Sequence, residues 1–180
     1  VSQFNKVTTP FIIMISVILS TIGVFMGLII FQMEFVVIMT MIGIISLAGI
    51  VVNNAIVLID FIEVIRKRKR IELGLKNLEI PHIVEAIAEA GATRLRPVLL
   101  TAITTILGLI PLAVGINIDF MKFLSEYDAD FYLGGDNVAF WGPMSWTIIF
   151  GLTFATFLTL IIVPVMYLFF ARINRLLGLS

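Results

Sequence analysis

The sequence contains no cysteine and a single histidine, His82, among its 180 residues. Disulfides and thiolate metal sites are therefore excluded, and one histidine cannot form a histidine cluster around a metal. Charged residues are also scarce, at 13% of the chain against about 25% in an average soluble domain. The chain has no nucleophile paired with a base, no GxxxxGK[ST] phosphate loop and no cluster of metal ligands, so we expect neither an enzyme nor a cofactor- or metal-binding protein.

Hydrophobic residues are abundant instead, at 60% of the chain, and the mean hydropathy is +1.12. About 20 apolar residues in a helix cross a bilayer core of about 30 Å. Four segments meet that requirement, at about residues 11–31, 35–65, 97–115 and 143–170. Because backbone groups in lipid need internal partners and no alternating strands are seen, the sequence predicts an all-α membrane protein, a single domain of four transmembrane helices.

Basic residues are distributed unevenly between the connections. Residues 66–96 contain eight of the twelve lysines and arginines, including the run RKRKR, whereas residues 116–142 contain one lysine and five acidic residues. Since cytoplasmic loops retain lysine and arginine, the pattern predicts that loop 66–96 and the C-terminus are cytoplasmic and that loop 116–142 lies on the opposite side of the membrane. We interpret the basic run as a topology signal with anionic-lipid contact rather than a nucleic-acid site.

Within loop 66–96, Ile83, Ile87 and Ala90 recur at helical spacing, with Glu85 and Glu89 elsewhere on the wheel. This pattern is typical of a short amphipathic helix that lies at the membrane interface. The sequence therefore predicts such a helix between the second and third spans.

Polar residues recur on one face of the second predicted span. Ser46, Gly49, Asn53 and Asp60 fall within an arc of about 60°, and Asn54 lies about a quarter turn to the side. Two interpretations stay open for each type of residue. Asp60 either reaches headgroup water or faces the bundle interior, and the amides either form hydrogen bonds between helices or take part in a function.

A second polar face occurs on the third span, where Arg94, Thr101, Thr105 and Gly108 align if the helix continues through Pro97. If the helix instead begins at Pro97, Arg94 belongs to the loop and the alignment weakens. The threonines alone indicate little, because their hydroxyls can bond to their own helix backbone.

Small residues are spaced four apart on the first and last spans, at Gly23 and Gly27 and at Gly151 and Ala155. Such pairs let membrane helices approach closely. We expect them at helix–helix contacts.

The stretch GIVVNNAIVLIDF (49–61), followed by EAGATRLRPVLLTAITTILGLIPLAVG (89–115) and VPVMY (163–167), resembles the C-terminal membrane half of resistance-nodulation-division (RND) transporters. The match is nearest to the hydrophobe and amphiphile efflux branch and covers nearly the whole chain. By this resemblance, the four spans correspond to the last four of twelve, and loop 116–142 is periplasmic. The chain is then expected to be a fragment of a longer transporter, as its start at Val1 without a methionine also suggests.

The resemblance implies a proton-driven antiporter of the bacterial inner membrane that exports hydrophobic or amphiphilic compounds, with the proton as coupling ion and no bound cofactor. It also implies a homotrimer that works with a periplasmic adaptor and an outer-membrane channel. Its binding pockets would lie in periplasmic domains outside this chain, so the substrate is not identified.

The family's proton relay is carried over residue by residue. Arg94 and Thr101 match its relay arginine and threonine, and Asn54 matches its asparagine. Asn53 stands where many members have a lysine, and an amide can only hydrogen-bond where a lysine could neutralise an aspartate. Either Arg94 supplies the positive partner or coupling differs in this subgroup. Asp60 and Thr105 are further candidates.

Two other functions remain compatible with the residues. The helices could be a structural or assembly module whose asparagines only fix packing. The chain could also belong to an RND-superfamily relative that moves lipid, metal or protein.

Overall fold

The structure, a computed structural model, describes residues 8–74, 78–118 and 131–176. Its helices are α1 (Thr8–Ile30), α2 (Val37–Glu72), α3 (Ile80–Val114) and α4 (Asp136–Leu176). All four are long and apolar enough to cross a membrane, which confirms the predicted all-α membrane bundle. Between α3 and α4, strands β1 (Ile116–Ile118) and β2 (Phe131–Leu133) form a short antiparallel pair in which Asn117 lies opposite Tyr132. The acidic residues between positions 119 and 130 lie outside the described residues.

The helices extend beyond the predicted spans. α2 has 36 residues and α3 has 35, so each is about 50 Å long at 1.5 Å per residue, against a bilayer core of about 30 Å. The residues predicted to form a separate amphipathic helix are the first turns of α3, which continues through Pro97. The helix remains continuous although proline removes one backbone hydrogen bond, and residues on both sides of it, Ala90 and Val98, are buried.

Helix α4 contacts each of the other three helices, and α2 lies between α1 and α3. Buried side chains form two clusters along this arrangement. One contains Val24, Leu47 and Leu152. The other contains Leu58, Ile62, Ile87 and Val163 and lies near the end where α2 stops and α3 begins. We call that end, which carries RKRKR, the basic end.

Close approach of α4 to α1 depends on glycine. A Cβ atom on Gly27 would lie 2.5 Å from the Cβ of Phe150, and one on Gly23 would collide with Phe154. On the other side of the contact, Gly151 of α4 receives the side chain of Leu47 from α2. The contacts predicted for these three glycines are therefore confirmed.

Replacing Gly27 by alanine should destabilise the bundle, because the new methyl group has no room beside Phe150. Overpacking of this kind costs about 1–3 kcal/mol. Thermal unfolding of the full-length protein that contains this chain would measure it. Gly91→Ala is the matched control, since a Cβ atom there would meet nothing within 4 Å. Equal thermal midpoints for the two variants would contradict the packing described above.

Candidate functional site

The polar face of α2 is directed away from α4. Val51, Ala55 and Leu58 are buried in the clusters shared with α4. The residues that form the polar face are exposed, namely Ser46, Gly49, Asn53 and Asp60. A Cβ atom on Gly49 would meet nothing within 4 Å. This outer face of α2 is therefore uncovered by the other described helices.

The two amides are not hydrogen-bonded within the bundle. Asn53 is exposed and Asn54 is half-buried. Across the described ranges, neither side chain has a hydrogen-bond partner. The interpretation that these amides form hydrogen bonds between helices is therefore not supported within the four described helices.

Arg94 is half-buried and belongs to α3, because the helix continues through Pro97. Its guanidinium carbon lies 4.4 Å from the ring centroid of Phe61 on α2. Its Nε is buried and has no hydrogen-bond partner in the part of the chain that the structure describes. Arg94 also forms no ion pair with Asp60 or any other described residue. Among the described residues, the positive charge therefore contacts an aromatic ring and not a carboxylate.

The contact between Arg94 and Phe61 sets the relative heights of α2 and α3. Asn54 precedes Phe61 by seven residues, and Thr101 follows Arg94 by seven. The two helices run in opposite directions, so Asn54 and Thr101 lie at about the same height, roughly 10 Å from the Arg94 contact. The structure thus brings the α3 face alongside α2. We call Ser46, Gly49, Asn53, Asp60, Arg94, Thr101, Thr105 and Gly108 together the polar seam.

Both threonines of the seam donate to their own helix. The Thr101 hydroxyl donates to the Val98 carbonyl at 3.0 Å, and the Thr105 hydroxyl donates to the Thr101 carbonyl at 2.8 Å. Thr101 is exposed and Thr105 half-buried. Because a hydroxyl oxygen also accepts hydrogen bonds, each remains an acceptor at the surface of the seam.

The basic run has two kinds of members. Arg66 donates to the Tyr167 hydroxyl at 2.6 Å, and its guanidinium carbon lies 5.6 Å from the centroid of that ring. Lys69 pairs with Glu85 at 2.9 Å and with Glu89 at 3.6 Å. The other three residues are exposed, namely Lys67, Arg68 and Arg70. Arg66 and Lys69 therefore have a structural role, since Arg66 connects α2 to α4 and Lys69 connects α2 to α3.

Arg66 and Tyr167 also line a small cavity together with Thr9 and Glu63. Its volume is about 30 Å³, which is enough for one water molecule with polar partners. Residues of α1, α2 and α4 line this cavity, which lies at the basic end.

Tyr167→Phe should destabilise the full-length protein by about 1.5–3 kcal/mol, the usual contribution of a hydrogen bond to a charged group. The ring and its packing remain, so the variant loses only the hydrogen bonds of the hydroxyl, which are the bond from Arg66 and one with Glu63. Thr93→Val serves as the control, because it removes an exposed hydroxyl that bonds to its own helix at Glu89. The two thermal midpoints are compared, and an equal loss in both variants would show that the hydrogen bonds of the Tyr167 hydroxyl contribute nothing.

Comparison with known proteins decides the family. A family model described as the AcrB/AcrD/AcrF family matches residues 1–118, and the swarming motility protein SwrC of Bacillus subtilis is 40% identical over 97% of this chain. The chain belongs to the AcrB/AcrD/AcrF family. This confirms the RND membership inferred from the motifs.

Two further proteins are also similar to this chain. The multidrug resistance protein MdtC of Erwinia tasmaniensis is 31% identical over 86% of the chain, and protein HelA of Legionella pneumophila is 29% identical over 71%. The chain spans 14%, 12% and 10% of the lengths of SwrC, MdtC and HelA. The similarity to MdtC is consistent with the efflux branch.

Sequence reasoning missed Phe61 and Tyr167 as partners of the arginines. Phe61 follows Asn54 by seven residues and so lies on the same face of α2, which was the available signal. No signal in the sequence paired Arg66 with Tyr167, because they are 101 residues apart. The roles assigned to Asn53, Asn54, Arg94 and Thr101, and to Asp60 and Thr105, remain predictions.

Proposed function

We propose that this chain forms the C-terminal membrane bundle of a proton-driven efflux transporter that exports hydrophobic or amphiphilic compounds. Family membership and similarity to a multidrug resistance protein support this proposal. The observation that carries it is the polar seam, which faces away from α4 and contains an arginine without a carboxylate partner among the described residues.

Within a membrane, the polar seam must be shielded from lipid by other helices. Polar and charged groups that face lipid are costly, by about 2.5–3.5 kcal/mol for an arginine at mid-membrane on insertion scales. Further helices of a longer chain, with acidic residues opposite Arg94, would remove that cost. The small proportion of each relative that this chain spans leaves ample sequence for such helices.

The proposed proton coupling depends on the attraction between the positive charge of Arg94 and a carboxyl group opposite it. A deprotonated carboxylate opposite Arg94 is stabilised by the fixed positive charge, and protonation removes that attraction. Asn53 and Asn54 can hydrogen-bond either form of the carboxyl group, since an amide both donates and accepts. Each proton taken up would then change the contacts across the seam. Arg94 is the fixed charge in this proposal, and no cofactor is required.

The topology, cellular location and partners of the protein follow from the same proposal. The basic end and the C-terminus lie in the cytoplasm, because that end carries most of the lysines and arginines. The protein resides in the bacterial inner membrane and has no enzymatic activity. It acts as a homotrimer with a periplasmic adaptor and an outer-membrane channel, and we do not expect it to bind nucleic acid.

Arg94→Ala in the full-length transporter should reduce efflux by about 100-fold or more, since removing one partner of a buried ion pair costs about 3–5 kcal/mol. Efflux of an amphiphilic dye from cells and proton flux in proteoliposomes provide the two measurements. Arg96→Ala is the matched control, because Arg96 is an exposed arginine of the same helix two residues away. Equal efflux by both variants would refute the coupling role of Arg94.

Asn53→Ala should have a smaller effect, about 3- to 30-fold, because interhelical amide hydrogen bonds contribute about 0.6–2 kcal/mol. Efflux and thermal midpoint are measured on the same trimer preparation. A lower thermal midpoint with normal efflux per trimer would favour the structural module over the transporter relay.

A further inference from the structure

Phe61 is the one described residue that contacts the Arg94 charge through its ring. We propose that Phe61 is the positioning residue of Arg94, which holds the guanidinium at the polar seam while leaving the N–H groups of its two terminal nitrogens free for a carboxylate. This inference deepens the proposed function and rests on it. Nothing in the motifs of the sequence assigns a role to Phe61.

The chemistry of the contact supports this role. The face of an aromatic ring is electron-rich and attracts a cation within about 6 Å, and the Arg94 carbon lies 4.4 Å from the Phe61 centroid. The ring offers no lone pair in its plane and so neither neutralises the charge nor uses up the five guanidinium N–H donors. A carboxylate in the same place would do both.

The state of Arg94 agrees with such a contact. Its Nε is buried without a hydrogen-bond partner in the described ranges, and none of the described carboxylates pairs with it, including the exposed Asp60 beside Phe61. An unsatisfied buried donor is costly. The contact with Phe61 holds Arg94 in place, and its guanidinium still lacks an acceptor among the described residues, as a relay cation should.

Phe61 is itself held in position. It is half-buried and packs against the buried cluster that contains Ile62 and Ile87. The ion pair of Lys69 with Glu85 joins α2 to α3 on the side toward the basic end. Lys69 follows Phe61 by eight residues and Glu85 precedes Arg94 by nine, so the two contacts agree on the register of the antiparallel helices.

The test separates the aromatic face from simple packing. Phe61→Leu and Phe61→Met remove the ring but keep an apolar side chain, whereas Phe61→Trp keeps an aromatic face. Phe170→Leu is the matched control, because Phe170 is also half-buried and packs against the same cluster, but in the described ranges the Arg94 guanidinium lies over the ring of Phe61 and not over that of Phe170. All variants are made in the full-length transporter, and efflux is expressed per assembled trimer.

We expect several-fold lower efflux for Phe61→Leu and Phe61→Met, with near-normal efflux for Phe61→Trp and for Phe170→Leu. Efflux by Phe61→Leu equal to that of Phe170→Leu would overturn the inference and leave the proposed function intact. Normal efflux by Arg94→Ala would overturn both the proposed function and the inference about Phe61.

A thermal-stability cycle tests the contact without using transport. Phe61→Leu, Arg94→Met and the double variant are compared with the unaltered protein. Because the two residues contact each other, the loss of thermal midpoint in the double variant should be smaller than the sum of the two single losses. Strictly additive losses would show that the ring does not hold Arg94.

Discussion

Helix α4 can approach both α1 and α2 closely only because the contact positions lack side chains. Gly27 makes room for Phe150, and Gly151 makes room for Leu47. In a membrane, helices associate mainly through such packing, since lipid tails are as apolar as leucine. The rotation of α2 follows from this constraint. With Leu47, Val51 and Ala55 turned toward α4, Asn53 has to face outward.

The outward rotation explains an electrostatic arrangement that would be unfavourable in an isolated bundle. Asn53 and Thr101 are exposed, and Arg94 keeps a buried Nε without a partner among the described residues. Phe61 stabilises the charge of Arg94, at about 0.5–2 kcal/mol for a contact of this kind, but supplies no hydrogen-bond acceptor. The seam thus contains a positive charge that has no acidic partner among the described residues, and in the proposed transporter another helix would provide one.

The basic end serves a different purpose from the seam. Arg66 bonds to Tyr167 and Lys69 bonds to Glu85, so these residues fix the ends of α2, α3 and α4 relative to one another. The pair of Lys69 with Glu85 contributes little by itself, because the Glu85 carboxylate is exposed and surface ion pairs are worth about 0–1 kcal/mol. The ion pair instead helps to fix the register of α2 against α3, and the same register places Phe61 beside Arg94.

The amino-acid sequence by itself determined that this is an all-α membrane protein with four spans, because long apolar runs in lipid have few alternatives to helices. Local periodicity also predicted the polar faces of α2 and α3, and the motifs predicted the family. Helix lengths were underestimated, because charged residues such as Arg66 end an apolar run but do not end a helix. The continuity of α3 through Pro97 could not be decided locally, since proline is compatible with both a helix start and a helix interior. The partners of Arg94 and Arg66 were likewise decided only by the tertiary structure. Contacts between helices depend on how each one is rotated, and the glycines that set this rotation act through residues far away in the chain.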